Sequence, residues 1–157
     1  MKKLLFAPVV AVLLILSSCS KKDSDDSPVI HDPITIELKG NDAMQFVGTT
    51  DFNVKSGQDI NLILTHIGQL PKEAMGHNVV VLKPGTNLDD FATKAFQSRE
   101  NDYIPATFAS SIVAHAKLLG PGESDAIKFK IETPGVHTFI CSFPGHYGTM
   151  RGTITVK

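Results

Sequence analysis

The sequence feature that most constrains the fold is a series of short apolar runs separated by turn residues. The first run, ITIELK at residues 34–39, has an apolar side chain at every second position and stops at the turn residues GND at 40–42. An alternation of period two is typical of a strand that has one buried face. The other runs occupy residues 59–64, 79–82, 111–116, 126–131, 136–142 and 153–157. This pattern predicts an all-β fold, a sandwich of two antiparallel sheets.

One segment departs from this period and predicts an amphipathic helix over about residues 87–99. Thr86 and Asp89 have the spacing of an N-terminal capping box. The apolar side chains of this segment recur at helical spacing, so we expect them to pack on the sandwich as core. They are Leu88, Phe91, Ala92, Ala95 and Phe96.

Length, charge and cysteine content exclude several classes of protein. A chain of 157 residues suggests one ordinary domain. The formal net charge is −1 and no stretch is strongly basic, so nucleic acid is not an expected partner. Two cysteines cannot form a disulfide framework or a four-thiolate zinc site.

The N-terminus has the pattern of an export signal. Lys2 and Lys3 precede an apolar run at residues 4–16, which is too short to span a membrane comfortably. The run ends in Ser-Ser-Cys19, which resembles the lipobox of bacterial lipoproteins. We therefore predict a lipoprotein signal peptide at residues 1–18 and acylation of Cys19. The alternative is an ordinary secretory signal with a chance cysteine.

The next segment predicts a flexible tether and a location in the cell envelope. Residues 19–33 are polar and charged and cannot bury enough apolar surface to fold alone. We expect an exported protein, lipid-anchored in the bacterial cell envelope. Ser20 favours the outer membrane, with the folded domain at residues 34–157 in the periplasm or at the surface.

The residues with the most distinctive chemistry lie near the C-terminus. If Cys19 is acylated, Cys141 has no disulfide partner and is a structural thiol, a reactive thiol or a metal ligand. The string CSFPGHYGTM at residues 141–150 holds Cys141, His146 and Met150 on one loop, because Pro-Gly forces a turn. His77 precedes a predicted strand and faces the same side as its core residues.

This set of side chains favours copper among the common metals. Zinc prefers thiolate, imidazole or carboxylate, and a thioether is a poor ligand for it. Calcium and magnesium prefer oxygen ligands. Two imidazoles and one thiolate with a weak axial thioether are typical of a copper site that transfers electrons.

The same segments resemble the azurins, blue-copper proteins of the cupredoxin family. The resemblance rests on the C-terminal string and the strand that follows it, and on GNDAMQF at 40–46, HIGQLP at 66–71, MGHN at 75–78 and VAHAKLLG at 113–120. It covers essentially all of residues 34–157. It implies a two-sheet Greek-key cupredoxin sandwich with one helical insert.

The resemblance also implies one copper ion and its ligands. His77, Cys141 and His146 would be the equatorial ligands and Met150 the weak axial ligand. The carbonyl oxygen of Gly76 would approach from the side opposite Met150.

Further residues would support the site and its contacts with other proteins. The backbone N–H groups of Asn78 and Phe143 would donate to the sulfur, and the Asn78 side chain would bridge to Ser142. His146 would be the exposed ligand within an apolar docking patch. That patch comprises Met44, Met75, Phe143 and Pro144.

Three further histidines of the predicted domain are not expected to be metal ligands. His66 could be a proton site linked to the redox state, but a hydrogen-bonded structural role is favoured. We expect His115 and His137 to be partly exposed, with no assigned role.

The resulting prediction is an electron carrier that cycles between Cu(II) and Cu(I) and binds no small-molecule substrate. Its partners would be redox proteins such as a cytochrome c or a reductase. The alternative is copper buffering or delivery, although the chain has only 4 Met and no Met- or His-rich tract. An enzyme with Cys141 as nucleophile would leave Met150 without a role and has no identifiable oxyanion hole, so we expect no enzymatic activity.

Overall fold

A computed structural model describes residues 31–157 of the chain. The predicted signal peptide, Cys19 and the predicted tether up to residue 30 lie outside the described residues. Within residues 31–157 no helix has the length and apolar character needed to cross a membrane.

The described residues form two β-sheets, and this confirms the predicted two-layer sandwich with a helical insert. The first sheet has the order β2-β1-β4-β7 and the second has the order β3-β9-β8-β5-β6. The strands are β1 (Ile34–Asn41), β2 (Gln45–Val47), β3 (Asp51–Val54), β4 (Ile60–His66), β5 (Val80–Leu82), β6 (Ile112–His115), β7 (Ser124–Phe129), β8 (Gly135–Ile140) and β9 (Arg151–Val156).

The sheets are mixed, so the prediction of a purely antiparallel sandwich is wrong. β1 pairs with β4 in parallel, with Ile34 opposite Ile60, and β3 pairs with β9 in parallel. Between β1 and β4 the chain forms β2 in the same sheet and then crosses to the second sheet as β3. That crossover brings the chain back to run in the same direction as β1.

The core lies between the two sheets, where alternate side chains of each strand point inward. In β1 the buried side chains include Ile36 and Leu38, and in β4 every second residue from Ile60 is buried. Phe139 of β8 faces them from the second sheet and its ring lies 5.7 Å from that of Phe46. The period-two pattern of the sequence therefore marks the inner faces correctly.

A short helix, α1, spans Lys72–Met75 before β5. The helical insert lies between β5 and β6. Its helix, α2, spans Leu88–Phe96 and is therefore shorter than the predicted helix over about residues 87–99. The cap of α2 is Asn87, whose side chain accepts hydrogen bonds from the N–H groups of Asp89 and Asp90, so the predicted cap at Thr86 is wrong.

The prediction that both phenylalanines of α2 belong to the core is wrong for one of them. Phe91 is fully buried, but Phe96 is 68% exposed. Five residues at about 100° each place Phe96 roughly 140° around the helix from Phe91, on the side away from the core.

The sandwich has two ends with different contents. β1 and β4 end, and β8 leads to Cys141, at the same end of the molecule, which we call the ligand end; it comprises residues 41–44, 66–79, 116–123 and 141–150. The opposite end, which we call the distal end, comprises residues 31–33, 55–59, 83–85, 130–134 and 157.

Candidate metal centre

Three possible ligand atoms converge at the ligand end, although they come from two distant parts of the chain. His77, Cys141 and His146 each offer one atom, and these atoms all lie within 4.8 Å of one another. The Sγ atom of Cys141 lies 3.6 Å from Nδ1 of His146. The structure thus brings together the three side chains predicted as equatorial ligands.

The loop after β8 places Cys141, His146 and Met150. The N–H of Cys141 donates to the carbonyl of Met150 at 2.9 Å, which closes the loop at its base. Within the loop, Gly145 has a φ of +83°, a conformation that favours glycine, and the N–H of His146 donates to the carbonyl of Phe143. The Pro-Gly turn therefore directs His146 back toward Cys141.

Contacts on two sides hold His77. Its Nε2 lies 3.0 Å from the carbonyl oxygen of Asn41, and a carbonyl can only accept, so Nε2 carries the proton and donates. On one side its ring stacks against His66, with 4.4 Å between the ring centroids. On another side Gly40 leaves room, because a Cβ there would lie 2.6 Å from Cδ2 of His77.

The second ring nitrogen of His77, Nδ1, lacks a hydrogen-bond partner. With Nε2 protonated, Nδ1 presents a lone pair, yet it is buried and has no hydrogen-bond partner. Buried polar atoms without a partner are rare and call for an explanation. A metal ion held by Nδ1 of His77, Sγ of Cys141 and His146 would satisfy this atom, so the residues present fit a bound metal.

Burial sets the protonation states of these groups before metal arrives. Burial, followed by the charge of neighbouring histidines, lowers the pKa values of His77 and His146 to about 4, so both imidazoles are neutral at pH 7. Burial raises the pKa of Cys141 to about 12, although the N–H groups of Asn78 and Phe143 act in the opposite direction. A metal ion therefore has to displace one proton, that of the thiol.

A methionine and a glycine lie beside His77. Met150 is fully buried, and its Cε atom would lie 3.2 Å from a Cβ placed on Gly40, on the side where the His77 ring also lies. Gly76 has no space for a side chain, since a Cβ would lie 2.6 Å from the carbonyl oxygen of Lys72. Two imidazoles, one thiol and a nearby thioether are a donor set that suits copper better than zinc.

Comparison with known proteins agrees with this chemistry. A family model described as copper-binding proteins of the plastocyanin/azurin family matches residues 33–157. The chain belongs to the plastocyanin/azurin family.

Individual relatives are similar over most of their length. The azurin of Alcaligenes faecalis is 38% identical over 123 residues, which cover 76% of this chain and 94% of the relative. The azurin of Pseudomonas aeruginosa strain PAO1 is 35% identical over 135 residues, which cover 83% and 90%. The structure of reduced auracyanin from Roseiflexus castenholzii superposes with a TM-score of 0.70 at 29% identity and covers 81% of this chain and 99% of that one.

Family membership defines the cofactor and the general activity. This member of the plastocyanin/azurin family is a blue-copper electron-transfer protein, and its cofactor is one copper ion. The family's electron carriers are distinct from classical enzymes.

The two segments that carry the potential ligands are joined by an amide side chain. Oδ1 of Asn78 accepts from the N–H of Ser142 at 2.8 Å, and its Nδ2 donates to Oγ of Ser142 at 2.8 Å and to the carbonyl of Asp102. Asn78 and Ser142 are both buried. The bridge expected from the resemblance is present, and it also ties both segments to the helical insert.

The insert makes two contacts with the ligand loop that the sequence analysis did not anticipate. The hydroxyl of Tyr147 donates to Oδ1 of Asp89 on α2 at 2.8 Å. The ring of Tyr103 packs edge-on against Phe143 with 5.1 Å between centroids, and Phe143 lies 4.7 Å from the ring of His146. The two contacts between the insert and the loop join residues 40 or more positions apart, so no local sequence signal predicts them.

The predicted exposure of His146 is wrong. Only 2% of His146 is exposed, and the rings of Phe143 and His77 pack against it with 4.7 Å and 5.1 Å between centroids. Phe143 is itself buried, at 7% exposed, whereas Met75 and Pro144 are half-buried and Met44 is 38% exposed. The apolar surface at the ligand end is therefore formed by the partly exposed Met44, Met75 and Pro144, and the His146 ring is not part of it.

The remaining histidines have separate roles. His66 is buried, its Nε2 donates to the carbonyl of Met75, and its Nδ1 accepts from the N–H of Gly68, so its structural role has clear hydrogen-bond partners. His115 is exposed as predicted. The predicted exposure of His137 is wrong, because it points into the core from β8 and is 1% exposed.

Proposed function

We propose that His77, Cys141 and His146 would hold the copper ion as its main ligands, with the thioether of Met150 and the carbonyl oxygen of Gly76 as weaker ligands. The observation that supports this most strongly is the convergence of one ligand atom each from His77, Cys141 and His146 within 4.8 Å of one another. The buried Nδ1 of His77, which has no hydrogen-bond partner, agrees with it.

Bound copper supplies one-electron chemistry by alternating between Cu(II) and Cu(I). The protein's contribution is a site that does not rearrange. His77 is fixed by Asn41 and by the His66 ring, and Cys141 is fixed through the bonds between Ser142 and Asn78. Rigid, buried donors keep reorganisation small when the charge of the ion changes.

Electrons would pass through the apolar surface above His146. We place the docking patch at Met44, Met75 and Pro144, with the buried Phe143 packed beneath them. Leu70 is an addition to the patch, because it is 44% exposed and its N–H donates to Asp42, two residues before Met44. The partners would be redox proteins such as a cytochrome c or a reductase, and their docking would need an apolar patch of matching shape.

Burial distinguishes an electron carrier from a copper-delivery protein. A protein that hands on its metal needs ligands that the acceptor can reach. Here His77, Cys141 and Met150 are fully buried and His146 is nearly so. Slow copper exchange with a competing chelator is the expected result, and rapid exchange would support delivery instead.

The ligand assignment is tested by adding Cu(II) to the purified apoprotein. We expect an intense blue absorption from thiolate-to-copper charge transfer and a narrow hyperfine splitting in the EPR spectrum. Cys141→Ser should abolish the colour completely. Met150→Leu, the matched control in the same loop, should keep the colour and raise the reduction potential. A colourless wild-type complex, or loss of copper from Met150→Leu, would contradict the assignment.

The export and anchoring of the protein are a separate proposal. The supporting feature is the apolar run that ends in Ser-Ser-Cys19. The signal peptide would be removed before Cys19, and acylation would anchor the chain in the bacterial envelope, in the outer membrane because Ser20 follows the cysteine. Mass spectrometry of the purified N-terminal peptide tests this: an acylated Cys19 supports the proposal, and an unmodified or retained N-terminus would refute it.

A further inference from the structure

The position at which the described chain begins is fixed at the distal end. The N–H of Ile34 donates to the carbonyl of Asp59 at 2.9 Å, and Nε2 of Gln58 donates to the carbonyl of Asp32 at 2.7 Å. The first described residues are therefore bound to the turn at residues 55–59.

The metal centre lies at the far end of the strand that starts there. β1 runs from Ile34 to Asn41, and the carbonyl of Asn41 accepts the hydrogen bond from His77. Seven steps of about 3.3 Å separate the two ends of this strand by about 23 Å. The chain that leads to Cys19 thus leaves the domain on the side opposite the docking patch.

The distal end is also rich in exposed lysines. Five lysines lie in or beside its segments, against three carboxylates, those of Asp32, Asp59 and Glu132. The lysines are Lys55, Lys83, Lys128, Lys130 and Lys157.

The same turn connects the segments that carry three of these lysines, Lys55, Lys130 and Lys157. The N–H of Ser56 donates to the carbonyl of Lys157, the N–H of Gly57 donates to the carbonyl of Ile131, and Oγ of Ser56 donates to the carbonyl of Glu132. Lys130 also pairs with Asp59 at 3.5 Å. These three lysines therefore lie around the point where the chain leaves the domain.

The ligand end has no such excess of positive charge. Its loops and the residues beside them carry four cations, those of Lys39, Lys72, Lys117 and Arg151, against four carboxylates, those of Asp42, Glu73, Glu123 and Asp125. The insert adds Lys94, Asp89 and Asp102, and both of these carboxylates bond to the ligand-end loops. An anionic surface would therefore attract the distal end more strongly than the ligand end.

We propose that the distal end is a membrane-facing surface whose lysines contact anionic phospholipid headgroups, so that the metal centre and its docking patch point away from the bilayer. This inference rests on the proposed acylation of Cys19. Residues 20–33 can span at most roughly 45–50 Å when fully extended, which is longer than β1, so the anchor alone does not impose an orientation. The distal lysines would favour the orientation in which the distal end faces the bilayer.

The test measures lysine reactivity on the native acylated protein. The protein is reconstituted in vesicles of phosphatidylethanolamine and phosphatidylglycerol, acetylated briefly with an amine-reactive ester, and mapped by mass spectrometry against the same protein in neutral detergent. Labelling of the five distal lysines should fall about fivefold, if the attraction of about 1 kcal/mol per lysine at an anionic surface translates directly into the fraction of time each amine is covered. Labelling of Lys72, Lys94 and Lys117 should stay unchanged.

Two controls separate the possible outcomes. The triple variant Lys55→Gln, Lys128→Gln, Lys157→Gln should lose the protection of Lys83 and Lys130, whereas Lys72→Gln, Lys94→Gln, Lys117→Gln should retain it. Equal protection of both sets of lysines, or the same protection on neutral phosphatidylcholine vesicles, would overturn the proposed surface. Failure of the protein to float with vesicles, together with an unmodified Cys19, would instead refute the acylation.

Discussion

The ligand end buries polar side chains under its loops, whereas the turns of the distal end leave most of theirs in water. Among residues 31–157, only one of the buried polar residues lies outside the ligand end, His137 in β8; the others are His66, His77, Asn78, Ser142 and His146. At the distal end the chain closes through ordinary turn bonds such as those of Ser56 and Gly57.

This difference separates the requirements of folding from those of function. The imidazoles at the ligand end are buried and therefore lose their hydrogen bonds to water. Without a metal, Nδ1 of His77 has no partner, and this lowers the stability of the apoprotein. The sheets and the distal turns carry the stability that offsets this cost. Substitutions at the two ends should therefore have different consequences, and the following experiments test that separation.

Acidification of the apoprotein should produce the largest effect. The pKa values of His77 and His146 are about 4 in the folded chain against an ordinary 6.5, so between these values the unfolded chain binds more protons. The free energy of unfolding should therefore fall from pH 7 to pH 4, by a total on the order of a few kcal/mol.

Urea titrations of the apoprotein at several pH values measure this dependence. His77→Gln should remove at least half of it, because one buried imidazole is then missing and its charge no longer lowers the pKa of His146. A free energy of unfolding that stays constant between pH 6.5 and pH 4.5 would show that burial at the ligand end carries no such cost.

Gly40→Ala should damage the metal centre while leaving the sheets intact. The new Cβ would lie 2.6 Å from Cδ2 of His77, so the imidazole has to move away from the other donors. Copper affinity should fall about 10–100-fold, as for other residues that orient metal ligands. Competition with a chelator gives this affinity.

The matched control for this substitution is Gly148→Ala, in the ligand loop itself. A Cβ at Gly148 would have no atom within 4 Å, so copper affinity should remain that of the wild type. If both variants bound copper equally well, the close contact between Gly40 and His77 would not matter to the site.

The role of Gly40 illustrates what the sequence could not reveal. Cys141, His146 and Met150 were recognisable because they share one short loop, and His77 because a typical motif surrounds it. Gly40 acts only because β1 passes beside the His77 ring, a contact between residues 37 positions apart. Sequence patterns report local periodicity and do not report which distant segments touch.

The same reasoning applies to the fold. The long alternating strands β1 and β4 were predicted because period two persists over seven or eight residues. β2 and β3 have three and four residues and were missed. The parallel pairing of β3 with β9 joins residues about 100 positions apart, so only the assembled sandwich determines it.

Tyr147→Phe should have a moderate effect on the metal centre. It removes the hydrogen bond to Asp89 that ties the ligand loop to α2. A net loss of one such bond should increase the rate of copper dissociation about 2–10-fold, with a small change in the EPR spectrum. Stopped-flow transfer of copper to a chelator measures the rate.

Two variants on α2 provide controls for this contact. Asp89→Asn retains an acceptor oxygen for the Tyr147 hydroxyl and should behave as the wild type. Thr93→Val removes a hydrogen bond to the Asp89 carbonyl within the helix and makes no bond to the ligand loop. Faster copper loss in Thr93→Val than in Tyr147→Phe would assign the effect to helix stability instead.

The smallest effect is expected at the distal end, where Ser56→Ala removes the bond from Oγ to the Glu132 carbonyl. The free energy of unfolding should decrease by about 1 kcal/mol, and the blue absorption should not change. Ser142→Ala is its counterpart at the ligand end, where the hydroxyl bonds to Asn78 beside Cys141, so this variant should shift the absorption. The two substitutions delete the same chemical group and are far apart, so their stability effects should add in the double variant. A spectral change in Ser56→Ala would mean that the distal turns also position the copper ligands and that the two ends do not act independently.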